Sequence, residues 1–266
     1  MSEQSVIEKT PHPITKNDLV NALKNAGLGC KDHVLLHTSL SKIGWVVGRE
    51  MTVVDAFLAT LHQGTLVMPA HTGDNSDPAT WMHPPVPESW IEVIRTHTPS
   101  FNKHTFTSRG IGRVSECFRH YPNVKRSNHP LDSFIAKGKY ARKITKKHVL
   151  TPAFGMDTPL GRLYQLNGKV CLIGVSYDRA TILHLAEALS EALPLESNGV
   201  KFKDTWITFK DFDYDNEPFL ALGEALEKKQ LAKSHQVGHT DMIVFDIKPA
   251  VDFAVSWLKS YYQKKR

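Results

Sequence analysis

Cysteine is scarce and odd in number: Cys30, Cys117 and Cys171 are the three among 266 residues, and no two of them form a C-x-x-C pair. Neither a disulfide framework nor a cysteine-based zinc site is expected to organise such a chain. Cys171 sits in an apolar stretch and reads as an inert core residue rather than a nucleophile. Long apolar runs are also missing, since none approaches the roughly 20 residues that span a bilayer. The opening MSEQSVIEKTPHPITKND lacks the basic segment followed by an apolar stretch that marks a signal peptide. A cytoplasmic protein with no membrane partner is expected. Repeats, low-complexity segments and a Gly/Pro/Ser-rich linker are absent as well. One domain over residues 1–266 is the expectation, with 1–15 a loosely ordered N-terminal extension.

Charge is not concentrated. The formal net charge is +6, but the basic residues are dispersed apart from KGKYARKITKKH (137–148) and the terminal KKR. Neither stretch carries interleaved aromatics, so solvated helix faces and a tail are expected, with no nucleic-acid partner. The basic balance is compatible with a phosphate-bearing small molecule.

What is present is an alternation of helix and strand patterns. Thr15 and Asp18 form a capping-box-like start to an amphipathic helix that ends at Gly27 or Gly29. HVLLH (33–37) reads as a buried strand, 51–62 as a helix and TLVMPA (65–70) as a second strand. From His71 to Pro87 the chain is polar, with five prolines or glycines, and long for a connection; loops of this length are usually functional or mobile. Helices are expected at 88–97, 111–120, 139–147, 181–193, 217–230 and 249–263. KVCLIGVS (169–176) reads as the clearest central strand, 199–214 as a hairpin or edge strands, and DMIVFDI (241–247) as a short strand. These elements fit an α/β sandwich with a mixed sheet.

Four segments carry candidate chemistry. HTSLSKIGW (37–45) follows the first strand and offers Thr38, Ser39 and Ser41 hydroxyls, with Gly44 allowing close backbone approach. A strand-to-loop junction of this kind is a natural phosphate site, though the P-loop pattern G-x-x-x-x-G-K-[ST] is absent and an ordinary polar turn has the same composition. In TILHLAE, His184 and Glu187 are spaced i, i+3, which puts both on one helix face. A carboxylate beside a histidine makes a general base near neutral pH; a structural pair and half a metal site share that spacing. In HTGDNSDPATW (71–81), Asp77 precedes proline and suits a turn, while Asp74 has no obvious local duty and would attract a polycation over a pocket, with a solvated turn acid as the alternative. In RSNHPLDSF (126–134), Ser133 can donate to a ligand, and His129 reads as a buried histidine satisfying loop carbonyls.

Taken together, HTSLSKIGWVVG (37–48), SDPATWMHPPVPESW (76–90), TSRGIGRVSECFR (107–119), RSNHPLDSFIAKG (126–138), TPLGRLYQLNGKVCLIGVSYDRATILHLAE (158–187) and FDIKPAVDFAVSWL (245–258) resemble the aminoglycoside 3-N-acetyltransferase family, in the family's order. The resemblance implies an α/β/α layered sandwich of the family's own type, distinct from the commoner N-acetyltransferase fold. It implies acetyl-CoA as co-substrate, no metal, direct transfer to the 3-amino group of an aminoglycoside-type amine, and allows a homodimer. Carried over by motif, Thr38, Ser39, Leu40, Ser41, Gly44, Arg109, Ser133 and Phe134 would hold CoA. His184 would be the general base, Glu187 its orienting carboxylate, and Thr181 would help stabilise the tetrahedral intermediate. Asp74 and Asp178 would face the cationic substrate. The chain departs from the family at HTGDNSD (71–77), where a Gln/Ser-rich stretch is usual before the matching Asp. An acyltransferase of the same fold acting on another amine, and a catalytically weak CoA-binding protein, are the alternatives. A metal-dependent hydrolase lacks a third ligand at a convincing spacing.

Overall fold

A computed structural model describes residues 3–265. Nine strands occur: β1 (His33–Thr38), β2 (Thr65–Pro69), β3 (Lys125–Arg126), β4 (Phe134–Gly138), β5 (Lys169–Ile173), β6 (Leu195–Phe202), β7 (Thr205–Phe212), β8 (Ala232–Val237) and β9 (Thr240–Asp246). Seven form one sheet in the order β3-β4-β2-β1-β5-β9-β8, and β6 and β7 pair as a separate hairpin. β1 runs parallel to β2 on one side and to β5 on the other. The outer pairings, β2 with β4, β3 with β4, β5 with β9 and β8 with β9, are antiparallel.

Burial on both faces explains why the central strands read as unbroken apolar runs. Side chains alternate across a strand. Leu35, Val67, Val170 and Leu172 enter one core, covered by helices Ala141–Thr145, Pro159–Gln165, Ile182–Ser190, Phe219–Lys228 and Ile247–Lys265. Val34, Leu36, Leu66, Met68, Cys171 and Ile173 enter the other, under helices Lys16–Asn25, Arg49–Thr60 and Arg113–Arg119. The result is the α/β/α sandwich with a mixed sheet. Cys171 is fully buried, and burial pushes its thiol up, so the nucleophile is disfavoured and the core role holds.

Several expectations need correction. Order begins ahead of residue 15: Glu3–Glu8 is a short helix, and Ile14 pairs with Val46 and is buried. An apolar residue that completes a core fixes the chain around it. The strand at 169 stops at Ile173 because Gly174 turns the chain at φ +62°, with the Cβ of Lys42 only 2.5 Å from where a Gly174 side chain would begin. β4, β8 and the helix Pro159–Gln165 were not anticipated. β8 is an edge strand whose middle residues, Lys233 to Gln236, are exposed or half-buried, so its apolar signal is weak. The polar run 71–87 is pinned: buried Asn75 donates to the carbonyls of Pro130 and Lys201 and accepts from the Lys201 N–H. Asp77 caps Ala79 and receives both terminal and inner nitrogens of Arg95, a structural duty. Arg266 of the basic tail lies outside the described residues.

Candidate active site

The carboxyl ends of β1, β2 and β5 lie at one end of the sheet, and β1 is where the parallel order turns outward in both directions. Crevices at such positions are the usual ligand sites of open α/β sheets. A cleft of about 1140 Å³ opens there. Its floor and walls come from the residues after each strand: Thr38, Ser39, Leu40, Ser41 and Gly44 after β1, His71 after β2, and Asp178, Thr181 and His184 after β5. The Ser39 N–H donates to the carbonyl of Ile173 at 2.9 Å, which ties the first of these segments to the third.

His184 projects from helix Ile182–Ser190 with Glu187 one turn ahead. The two are 2.6 Å apart, His184 Nδ1 to Glu187 Oε2. A carboxylate only accepts, so Nδ1 carries the proton and Nε2 is left with its lone pair. Glu187 is fully buried, while the imidazole keeps 18% of its surface open. Phe154 stacks on the ring at 5.0 Å, with Tyr214 and Phe219 against it at 5.4 and 4.9 Å. The ring therefore has one orientation. Thr181 stands at the N-terminus of the same helix, makes no capping bond, and lines the cleft.

Two further histidines border the cleft. Burial, reinforced by nearby His184, pushes His37 down to about 3. Burial pushes His71 down to about 4 against the opposing pull of Asp132. Both are neutral near pH 7. His37 Nε2, Thr38 Oγ1 and His71 Nδ1 are buried without a hydrogen-bond partner. Unpaired buried polar atoms grouped around one cavity are what a bound polar ligand would satisfy. Arg49 and Arg113 supply positive charge at one wall, each paired with an acid at 2.9 and 3.1 Å, Glu3 and Glu50 respectively. Asp132, Asp178 and Asp215 supply negative charge.

Four expected site residues are not brought to the cleft. Ser133 is fully buried; its hydroxyl accepts from Arg126 and donates to the carbonyl of Ala70. Phe134 is a fully buried core residue of β4. Arg109 and Asp74 pair with each other on an exposed surface. The expected close approach at Gly44 is internal: at φ +113°, a Cβ there would lie 2.6 Å from His239 and 2.9 Å from Ile14. His129 is structural, bonded to the carbonyl of Leu150 and to the N–H groups of Leu131 and Asp132. Among the described residues no group of three or more His, Cys, Asp or Glu side chains is arranged to hold a metal, and no helix is long and apolar enough to cross a membrane.

Residues missed from sequence include Arg49, Arg113, His37, His71, Asp132, Phe154 and Tyr214. His37, His71, Arg113 and Asp132 lie inside stretches already singled out, so their neighbourhood was a signal. Phe154 and Tyr214 come from separate loops and carry no local pattern.

The geometry has relatives. The family model described as aminoglycoside 3-N-acetyltransferase matches residues 35–259. The SPbeta prophage-derived aminoglycoside N(3')-acetyltransferase-like protein YokD of Bacillus subtilis (strain 168) is 39% identical, over 96% of this chain and 96% of its own. The aminoglycoside N(3)-acetyltransferase VIII of Streptomyces fradiae is 32% identical over 98% of this chain and 97% of its own. Among solved structures, aminoglycoside acetyltransferase AAC(3)-Xa superposes with a TM-score of 0.86 at 30% identity, covering 97% of this chain and 96% of that one. A layered α/β/α fold, a cleft at the strand ends with a carboxylate-backed histidine, and full-length similarity converge, and this chain belongs to the aminoglycoside 3-N-acetyltransferase family.

Proposed function

We propose that this chain moves the acetyl group of acetyl-CoA directly onto the 3-amino group of an aminoglycoside-type acceptor, in the cytoplasm, with His184 as general base. The observation that carries this is an imidazole fixed by a wholly buried carboxylate at the wall of a large cleft, in a chain of this family.

Bound acetyl-CoA supplies an activated thioester carbonyl. Thr38, Ser39, Leu40, Ser41 and Gly44 hold its pantetheine and phosphates, with the unpaired Thr38 hydroxyl and the charges of Arg49 and Arg113 suited to that task. An acceptor amine is protonated at neutral pH and cannot attack until it loses a proton. His184 Nε2 takes that proton while Glu187 stabilises the imidazolium. The Thr181 hydroxyl donates toward the carbonyl oxygen as the freed amine attacks and charge develops there; the C–S bond then breaks, CoA leaves as the thiolate and takes up the second nitrogen proton, and His184 returns the first to solvent. Asp132, Asp178 and Asp215 give the acceptor side the negative field that a polyamine requires.

A second acceptor amine within the same chemistry is favoured by one observation: Asp74, the expected substrate acid, is neutralised by Arg109 away from the cleft. Thiol release from acetyl-CoA across a panel of aminoglycosides tests the assignment. Turnover restricted to other amines moves the acceptor but keeps the transfer. CoA binding without turnover on any amine leaves a binding protein.

A further inference from the structure

The last turn of the C-terminal helix reaches the His184 pair. Glu187 is fully buried and has no Lys or Arg partner among the described residues. Its negative charge is held by two donors. Oε2 receives His184 Nδ1–H at 2.6 Å, and Oε1 receives the phenolic O–H of Tyr262 at 2.7 Å. Tyr262 lies 75 positions along the chain and is itself buried, its ring edge-on to Tyr261 at 5.2 Å. Burial, then the bond to Glu187, pushes its phenol up, so it stays a donor across the working range. A surface tyrosine would compete with water for such a bond. This one is largely shielded from that competition.

We propose that Tyr262 is a positioning residue for acetyl transfer, its O–H fixing the Glu187 carboxylate and limiting how tightly the His184–Glu187 pair retains a proton. The inference rests on His184 being the general base. A carboxylate that accepts a second hydrogen bond is a weaker base toward the first, because the donor stabilises the ionised form. Without that donor Oε1 is left buried and unpaired, and the pair holds its proton to higher pH. Other titratable groups nearby come from several elements: His37 of β1 and His71 after β2 lie near His184, Tyr214 beyond β7 lies near Glu187, and Asp215 and, on the same helix, Tyr261 lie near Tyr262. His37 and His71 sit at about 3 and about 4, so neither is protonated near pH 7.

Tyr262→Phe removes the hydroxyl and keeps the ring. Two measurements are made on the full chain, with thermal melting to show that the variant folds. In the resting protein, the His184 ring is titrated by NMR; in Tyr262→Phe its midpoint moves up by about half a unit or more. In the thiol-release assay, the acidic limb of kcat/KM moves up in step and kcat falls about tenfold, with KM for acetyl-CoA nearly unchanged. An unmoved NMR midpoint with a superimposable pH profile, while His184→Ala is inactive, overturns the role of Tyr262 and leaves the base intact. Turnover retained in His184→Ala overturns the base and Tyr262 together.

Discussion

Two carboxylate pairs in this protein have the same chemical parts and different meanings. Glu187 faces His184 with no surface exposed, whereas Asp74 faces Arg109 with 45% and 64% of the two side chains open to solvent. In water an ion pair gains little, because solvent already stabilises both charges and salt screens the rest. In the interior a carboxylate without partners loses its hydration and gains nothing in exchange, so every partner it has is structurally significant. The comparison teaches that burial decides how much a partner means to a carboxylate: Glu187 depends on the groups that touch it, whereas Asp74 is already stabilised by water.

The largest break of that comparison is His184→Ala, expected to lower kcat by about 10²–10⁴ with CoA affinity retained, measured by thiol release and by calorimetric titration with CoA. Unchanged turnover would remove the general base. Next is Glu187→Ala, which leaves the Tyr262 hydroxyl and the His184 Nδ1–H buried without an acceptor. A loss of about 3 kcal/mol in urea unfolding is expected, alongside reduced kcat. A change below about 0.5 kcal/mol would show that water reaches the site. A third effect comes from pH. His37 and His71 have folded pKa values of about 3 and about 4, against about 6.5 for an unfolded histidine. The unfolded chain therefore binds the extra protons first, and stability is lost as pH falls from about 6.5 toward those values, by up to about 1.4 kcal/mol per unit for each histidine. The unfolding midpoint should fall between pH 7 and 5, less steeply in His71→Gln. The smallest effect is assigned to Asp74→Asn: stability within about 0.5 kcal/mol of the parent and kcat/KM within about threefold. A large loss of activity there would place the acceptor against Asp74 and collapse the contrast.

How far the sequence could be read follows the same division. β1 and β2 were legible because strands buried on both faces are continuous apolar runs. The Thr15–Asp18 capping box was legible because a cap is local, and both of its bonds are present. β8, an edge strand with four polar residues in a row, was not. His184 and Glu187 were found because i, i+3 spacing on a helix guarantees proximity. Which way Ser133 faces was not legible, because a serine in a motif carries no mark of it; here its hydroxyl bonds Arg126 and Ala70 inside the protein.

By itself, the chain determined the family, the layered α/β/α class and the helical face on which His184 and Glu187 meet, since these depend on periodicity, caps and motifs written in consecutive residues. Only the tertiary structure decided that Phe154, Tyr214 and Tyr262 converge on His184 and Glu187 and that Asp74 turns to Arg109 instead. Those contacts join positions tens of residues apart, and the ones around Glu187 draw their strength from excluded water, which no local pattern encodes.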